Sequence, residues 1–206
     1  MRGCYHLPMK RIILLGPILF ATVLTALTVI QYDFMRGLGW HPINDPTFDW
    51  PSGLALGKYG FVMTTTFIIS GLIMFLFAAR LYLDLRPALT SHAGSALLAF
   101  SGLALASLAF TTDPTVRSTP ATWHGRLHDL SFVLLGFTLF PAMLILGKTF
   151  QADSRWRGYG IYTWLTAALA IPAFIIKGAA FYVFLFSLLL WNEIIAWRLN
   201  KNGEGN

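Results

Sequence analysis

The residues best suited to chemistry lie in one stretch, Phe110-Thr-Thr-Asp-Pro114 followed by Ser118-Thr-Pro-Ala-Thr-Trp-His-Gly-Arg-Leu-His-Asp129. His124 and His128 stand four residues apart, so on a helix their rings leave one face about one turn from each other. Ser131 continues that face, while Arg126 and Asp129, three apart, fall on a neighbouring stripe where they can form an ion pair. Two histidines so spaced can ligate one metal ion. With a third ligand from Asp113, His41 or a loop carboxylate they would make a zinc site with an open position for water, and the chemistry would be hydrolytic. Without a metal, Asp113 or Asp129 would orient a histidine as a general base. A third reading has the pair hydrogen-bond loop backbone and water, fixing how two helices join. Spacing does not choose between them, because the Glu of the longer zinc-protease motif is missing. The candidate catalytic set is Asp113, His124, His128 and Asp129, with His41, Asp45, Arg126 and Ser131 as substrate contacts and His124 and His128 as the metal ligands.

Those residues must be positioned by an unusually apolar chain. Of its 206 residues 56% are hydrophobic and 12% charged, against roughly 25% charged in ordinary soluble domains. The net charge of +6 does not point to nucleic acid, since the basic residues fall between apolar runs long enough to cross the roughly 30 Å hydrocarbon core of a bilayer. The pattern predicts an all-α, polytopic membrane protein, a single domain of six spans near 12–30, 59–81, 93–110, 127–146, 159–176 and 179–197. The run Ile12–Ile30 exceeds the roughly 7 to 15 apolar residues of a secretory signal, so the first span is expected to stay uncleaved. One cysteine, Cys4, excludes an internal disulfide and a cysteine-rich metal site.

The longest connection, 31–58, carries Pro42, Pro46 and Pro51 and is expected to form an irregular or partly re-entrant outer cap. Trp40 and Trp50 in it read as belt residues at the membrane interface. Ten basic residues fall on the side of the termini, among them Arg2, Lys10, Arg80, Arg86, Arg155 and Arg198. Five fall on the other: Arg36, Lys58, Arg117, Arg126 and Lys177. That bias puts both termini in the cytoplasm and the His/Asp stretch outside. Bis-histidine haem needs rings facing each other from different helices, whereas His124 and His128 share one and His92 lies at the opposite face, so haem is not expected.

Finer features follow. Ser118 or Thr119 would cap the fourth span, with Pro120 at its first position. Ser95, Ala99, Gly102 and Ala106 make a small-residue face that lets another helix approach. Gly53 and Gly57 form a weaker Gly-xxx-Gly pair, leaving a homodimer open. Glu193, beside Asn192 in the last span, is expected to pair with Arg80 or Arg86.

His41-Pro-Ile-Asn-Asp45, the run from Pro51-Ser-Gly-Leu-Ala-Leu-Gly to Phe67-Ile-Ile-Ser-Gly71, Phe110-Thr-Thr-Asp-Pro114 and Thr122-Trp-His-Gly-Arg-Leu-His-Asp129 together resemble the bacterial and archaeal membrane proteins grouped as domain of unknown function 998. The resemblance runs from the first span to the sixth. It implies a six-helix bundle in a bacterial or archaeal cytoplasmic membrane, with Asp113, Gly125, His128 and Asp129 at motif positions and His124 at a site that commonly bears histidine. The chain departs from that pattern at Thr66, where the family often has Asn, and at Ser187-Leu-Leu-Leu-Trp-Asn-Glu193, where it has Gly-x-x-x-Arg.

The reading that joins these observations is an outward-facing His/Asp pocket that binds a lipid or other amphipathic substrate and hydrolyses it or transfers a group on it. Membrane lipids are the expected partners. A small permease, or a non-catalytic assembly or sensory subunit, are the alternatives.

Overall fold

The computed structural model describes residues 6–41, 50–85, 89–114 and 120–202. Asp45, Arg86, Ser118 and Thr119, named above, lie outside them. Eight helices follow one another: α1 (His6–Ile30), α2 (Tyr32–Gly37), α3 (Gly60–Asp84), α4 (Leu89–Ser107), α5 (Trp123–Ala152), α6 (Tyr159–Ala168), α7 (Ala170–Ile176) and α8 (Ala179–Asn202). Short 3-10 turns form at Pro51–Leu56 and Ser154–Trp156, and among the described residues there is no strand.

Five segments are long and apolar enough to cross a bilayer: Arg11–Ile30, Gly60–Asp84, Trp123–Ala152, Tyr159–Ile176 and Ala179–Lys201. Unlike a soluble bundle, the outside is apolar as well as the core, and hydroxyls are buried among the helices. Thr66, Ser70, Ser95, Ser101, Thr163 and Thr166 are buried, whereas Leu83, Phe137 and Ile175 are 72%, 76% and 73% exposed. An outer surface of that kind is stable against hydrocarbon and not against water, so the chain is a multi-pass membrane protein.

The helices close into a ring. α1 packs on α3, α3 on α4, α4 on α5, α5 on α6, and α6 with α7 on α8, which returns to α1. Two close approaches set the spacing. A Cβ at Gly71 would come within 2.5 Å of the Gly102 carbonyl oxygen, and one at Gly102 within 2.7 Å of the Gly71 oxygen, so α3 and α4 meet backbone to backbone. This is the contact expected of the Gly102 and Ala106 face. Between α5 and α6, Gly147 makes room for the Trp164 indole, whose Nε1 donates to the Leu144 carbonyl at 3.1 Å.

Several expectations change. The fifth span is two helices, because Pro172 has no N–H to donate to the Ala168 carbonyl and the helix breaks at Leu169. The long connection is partly ordered by Gln31, whose Nε2 donates to the Leu54 carbonyl at 3.0 Å while its Oε1 accepts from the Tyr59 N–H at 3.1 Å. Gly53 and Gly57 pack inside the chain, against Met35 and Gln31. The two tryptophans of the connection pack against the protein's own side chains. Trp40 is buried, and Trp50 packs its ring 4.5 Å from Phe181 and 5.3 Å from Phe132.

Candidate functional site

After Ser107 the chain leaves α4 through a turn, and the carbonyls of Leu108, Phe110 and Thr111 are left without helical donors. Side chains of α5 supply them. His128 Nδ1 lies 3.0 Å from the Leu108 oxygen and 2.7 Å from that of Phe110; His124 Nδ1 lies 3.0 Å from that of Thr111. A carbonyl only accepts, so each Nδ1 carries the proton, and in the neutral rings Nε2 keeps the lone pair.

Helix α5 begins at Thr122, not at the Ser118–Pro120 cap expected from the sequence. The Thr122 hydroxyl accepts from the Gly125 N–H at 3.1 Å and donates to Asp113 Oδ1 at 2.7 Å. Asp113 Oδ2 accepts from the Thr122 N–H at 2.9 Å, which sets a carboxylate at the positive end of the helix. The Thr122 hydroxyl also lies 3.0 Å from His124 Nδ1. A Cβ at Gly125 would strike the Asp113 carboxylate, so the glycine is what lets that group sit there.

The structure therefore brings Asp113, Thr122, His124 and His128 into one hydrogen-bonded joint between α4 and α5. Asp129 and Arg126 are exposed and, among the described residues, form no ion pair, contrary to the expected stripe. Ser131 is buried, and its hydroxyl donates to the Leu127 carbonyl at 2.7 Å. His41 is half-buried, in the long connection between α1 and α3. As a zinc site the set does not fit: among the described residues no three His, Cys, Asp or Glu side chains gather, and both Asp113 oxygens are engaged by Thr122.

A second polar cluster lies at the other end of the bundle. Buried Asp153 caps the 154–156 turn, accepting from the Arg155 N–H at 3.0 Å, and its Oδ2 meets Arg155 Nη2 at 2.8 Å. The same Nη2 donates to the Asp84 carbonyl at the end of α3, 3.0 Å away, and Arg198 Nη2 of α8 donates to the Arg155 carbonyl at 2.6 Å. The bond to Asp153 first, and then the attraction of the two carboxylates, push the guanidinium above the ordinary arginine range, against the opposing effect of burial. Asp153 and Arg155, two residues apart around a serine, were the available signal. Glu193 joins no such pair: its Oε2 is buried without a partner among the described residues, so the expected bridge to Arg80 does not form.

An apolar concavity has no counterpart in the sequence reading. A groove of about 580 Å³ opens between α5, α7 and α8, walled by Phe132, Phe140, Phe174, Phe181 and Phe184, with exposed Val133 and Phe137 at its mouth. Leu135, Leu139, Leu185 and Leu188 line both this groove and a central cavity of about 80 Å³, which Ser70 of α3 and Asn192 of α8 also line. The joint positions one wall: Phe132 follows His128 by four residues, the next turn of the same face.

No curated protein and no solved structure matches the chain. One family model does, described as "Protein of unknown function (DUF998)", and it covers residues 14–198, from within α1 to near the end of α8. With nearly all of the helical bundle inside that match, the chain belongs to this family.

Proposed function

We propose that this protein binds a long-chain amphipathic molecule of its own membrane, taken in sideways through the groove between α5, α7 and α8. The observation that carries the reading is that the groove and the cavity at the centre of the ring are neighbours, with four leucines lining both. Sites for apolar ligands are concave, largely preformed and rich in aromatic walls, and this one opens toward lipid. The reading is of binding. Nδ1 of both histidines and both oxygens of Asp113 are engaged in holding α4 to α5, a positioning role for the groove wall. The apolar linings do not suit the polar path that a solute permease needs.

In this reading α4 is a sixth span. Its 19 residues reach about 28 Å at the usual helical rise, and it lies between α3 and α5 in the ring. The excess of basic residues at the Asp153–Arg155 end supports cytoplasmic termini in a bacterial or archaeal inner membrane.

The test is photo-labelling in bilayer nanodiscs with an alkyl diazirine. Labels should concentrate on 132–141 and 181–188 relative to the lipid-facing side of α3, and Leu185→Trp, which fills the groove, should remove that excess. Labelling spread evenly over α3, α5 and α8 would overturn the proposal.

A further inference from the structure

We infer that the molecule held in the groove is a long-chain alcohol, and that Ser70 and Asn192 receive its hydroxyl in the central cavity; this rests on the groove reading above. Along the spans most buried hydroxyls satisfy themselves on their own helix. Thr66, one turn before Ser70, donates to the Val62 carbonyl at 2.7 Å, and Ser101 donates to Leu97 at 2.9 Å. Ser70 does not use that option. It is 5% exposed, lines the cavity, and its Oγ has no partner; across the same cavity the Oδ1 of Asn192 is buried and equally without one.

Two unpaired polar atoms at one apolar site are costly unless a guest completes them. A hydroxyl does so with both, donating its proton to Asn192 Oδ1 and accepting the proton of Ser70 Oγ. Charge narrows the class further. The lining holds no Lys, Arg, Asp or Glu, so a phosphate, carboxylate or ammonium head would be buried uncompensated. Size agrees: about 80 Å³ is the room of a few heavy atoms, since a water takes roughly 30 Å³ in the liquid. The hydrocarbon body then reaches the groove by parting Leu135, Leu139, Leu185 and Leu188, the side chains that line both spaces. Ser70 lies ten residues into the 25-residue α3, so the head sits deep in the bundle, where lipid tails offer a hydroxyl nothing.

The experiment is competition in nanodiscs against a diazirine-bearing hexadecanol, with 1-hexadecanol, hexadecane, palmitate and phosphatidylcholine as competitors. The alcohol should compete about tenfold better than the alkane and better than palmitate or the phospholipid. Ser70→Ala and Asn192→Leu should each cut the preference over alkane by about 2- to 10-fold, the worth of one neutral hydrogen bond, with alkane competition unchanged. Should Asn192→Leu not fold, Ser70→Ala carries the same comparison. Equal competition by alcohol and alkane means that only water fills the cavity, and overturns the assignment while the groove reading stands. Preference for palmitate or phospholipid overturns it too. If no probe labels the α5 and α8 walls above the α3 background, the groove reading and this inference both fall.

Discussion

His128 reaches back from α5 to place its Nδ1 2.7 Å from the carbonyl oxygen of Phe110, so the fifth helix supplies the cap that the end of the fourth lacks. The ring is buried, and the same nitrogen also serves Leu108. A titratable side chain has become a structural donor, and substitution can tell that role from a chemical one.

His128→Ala should leave two carbonyls without their donor and cost about 1–3 kcal/mol. His128→Asn, whose amide N–H can stand near the place of Nδ1–H, should recover most of that. Thermal unfolding of the two variants in the same detergent reads the difference. A ligand or general-base role for Nε2 would instead show both variants equally impaired in labelling of the groove at full stability.

Gly125→Ala drives a methyl into the Asp113 carboxylate and should destabilise the joint by at least about 1 kcal/mol, although alanine is otherwise the better helix former by about that amount. In an Asp113→Ala background the same change should cost nothing or stabilise. The cycle of four proteins is the measurement, and additive effects would show that the two residues do not share one site.

At the opposite end, Arg155→Ala takes the guanidinium away from buried Asp153 and from the Asp84 carbonyl at the end of α3. Removing one member of a buried pair costs about 3–5 kcal/mol, and because the Arg155 side chain is 33% exposed the expected loss is nearer 2 kcal/mol. Arg155→Lys should recover only part of it, lacking the planar fork. Because folding raises the arginine's affinity for its proton, its contribution is complete below the ordinary arginine range and is lost only above it. Arg155→Ala should therefore lower the unfolding temperature by the same amount at pH 6 and pH 9.

Ser70→Ala should leave the unliganded protein equally or more stable, since the hydroxyl it removes has no partner. A loss of more than about 1 kcal/mol in unfolding would mean that Ser70 holds the helices together rather than facing a guest.

The His/Asp stretch shows how far spacing carries. That His124 and His128 share a face follows from the helical repeat alone, and the alternative in which they bond loop backbone is the one the geometry displays. What their nitrogens meet was beyond the sequence, because the Leu108, Phe110 and Thr111 carbonyls belong to a turn 13 to 20 residues away. Ser118 and Thr119, in the same loop, have the capping chemistry of Thr122, so residue type does not choose among the three. The type of Trp50 suits an aromatic cluster as well as an interface, and its packing on Phe132, Phe174 and Phe181 depends on helices remote in the chain.

Hydropathy is a local quantity that sums along the chain, so the apolar runs, their approximate ends and the membrane as solvent were legible residue by residue. The closure of the ring depends on which faces meet, as at Gly71 and Gly102 or at Arg198 and the Arg155 carbonyl, and those contacts join residues remote in the chain. The groove and its inner cavity exist only as the space such packing leaves unfilled. No one-dimensional pattern encodes a void, and so the groove was decided by tertiary structure.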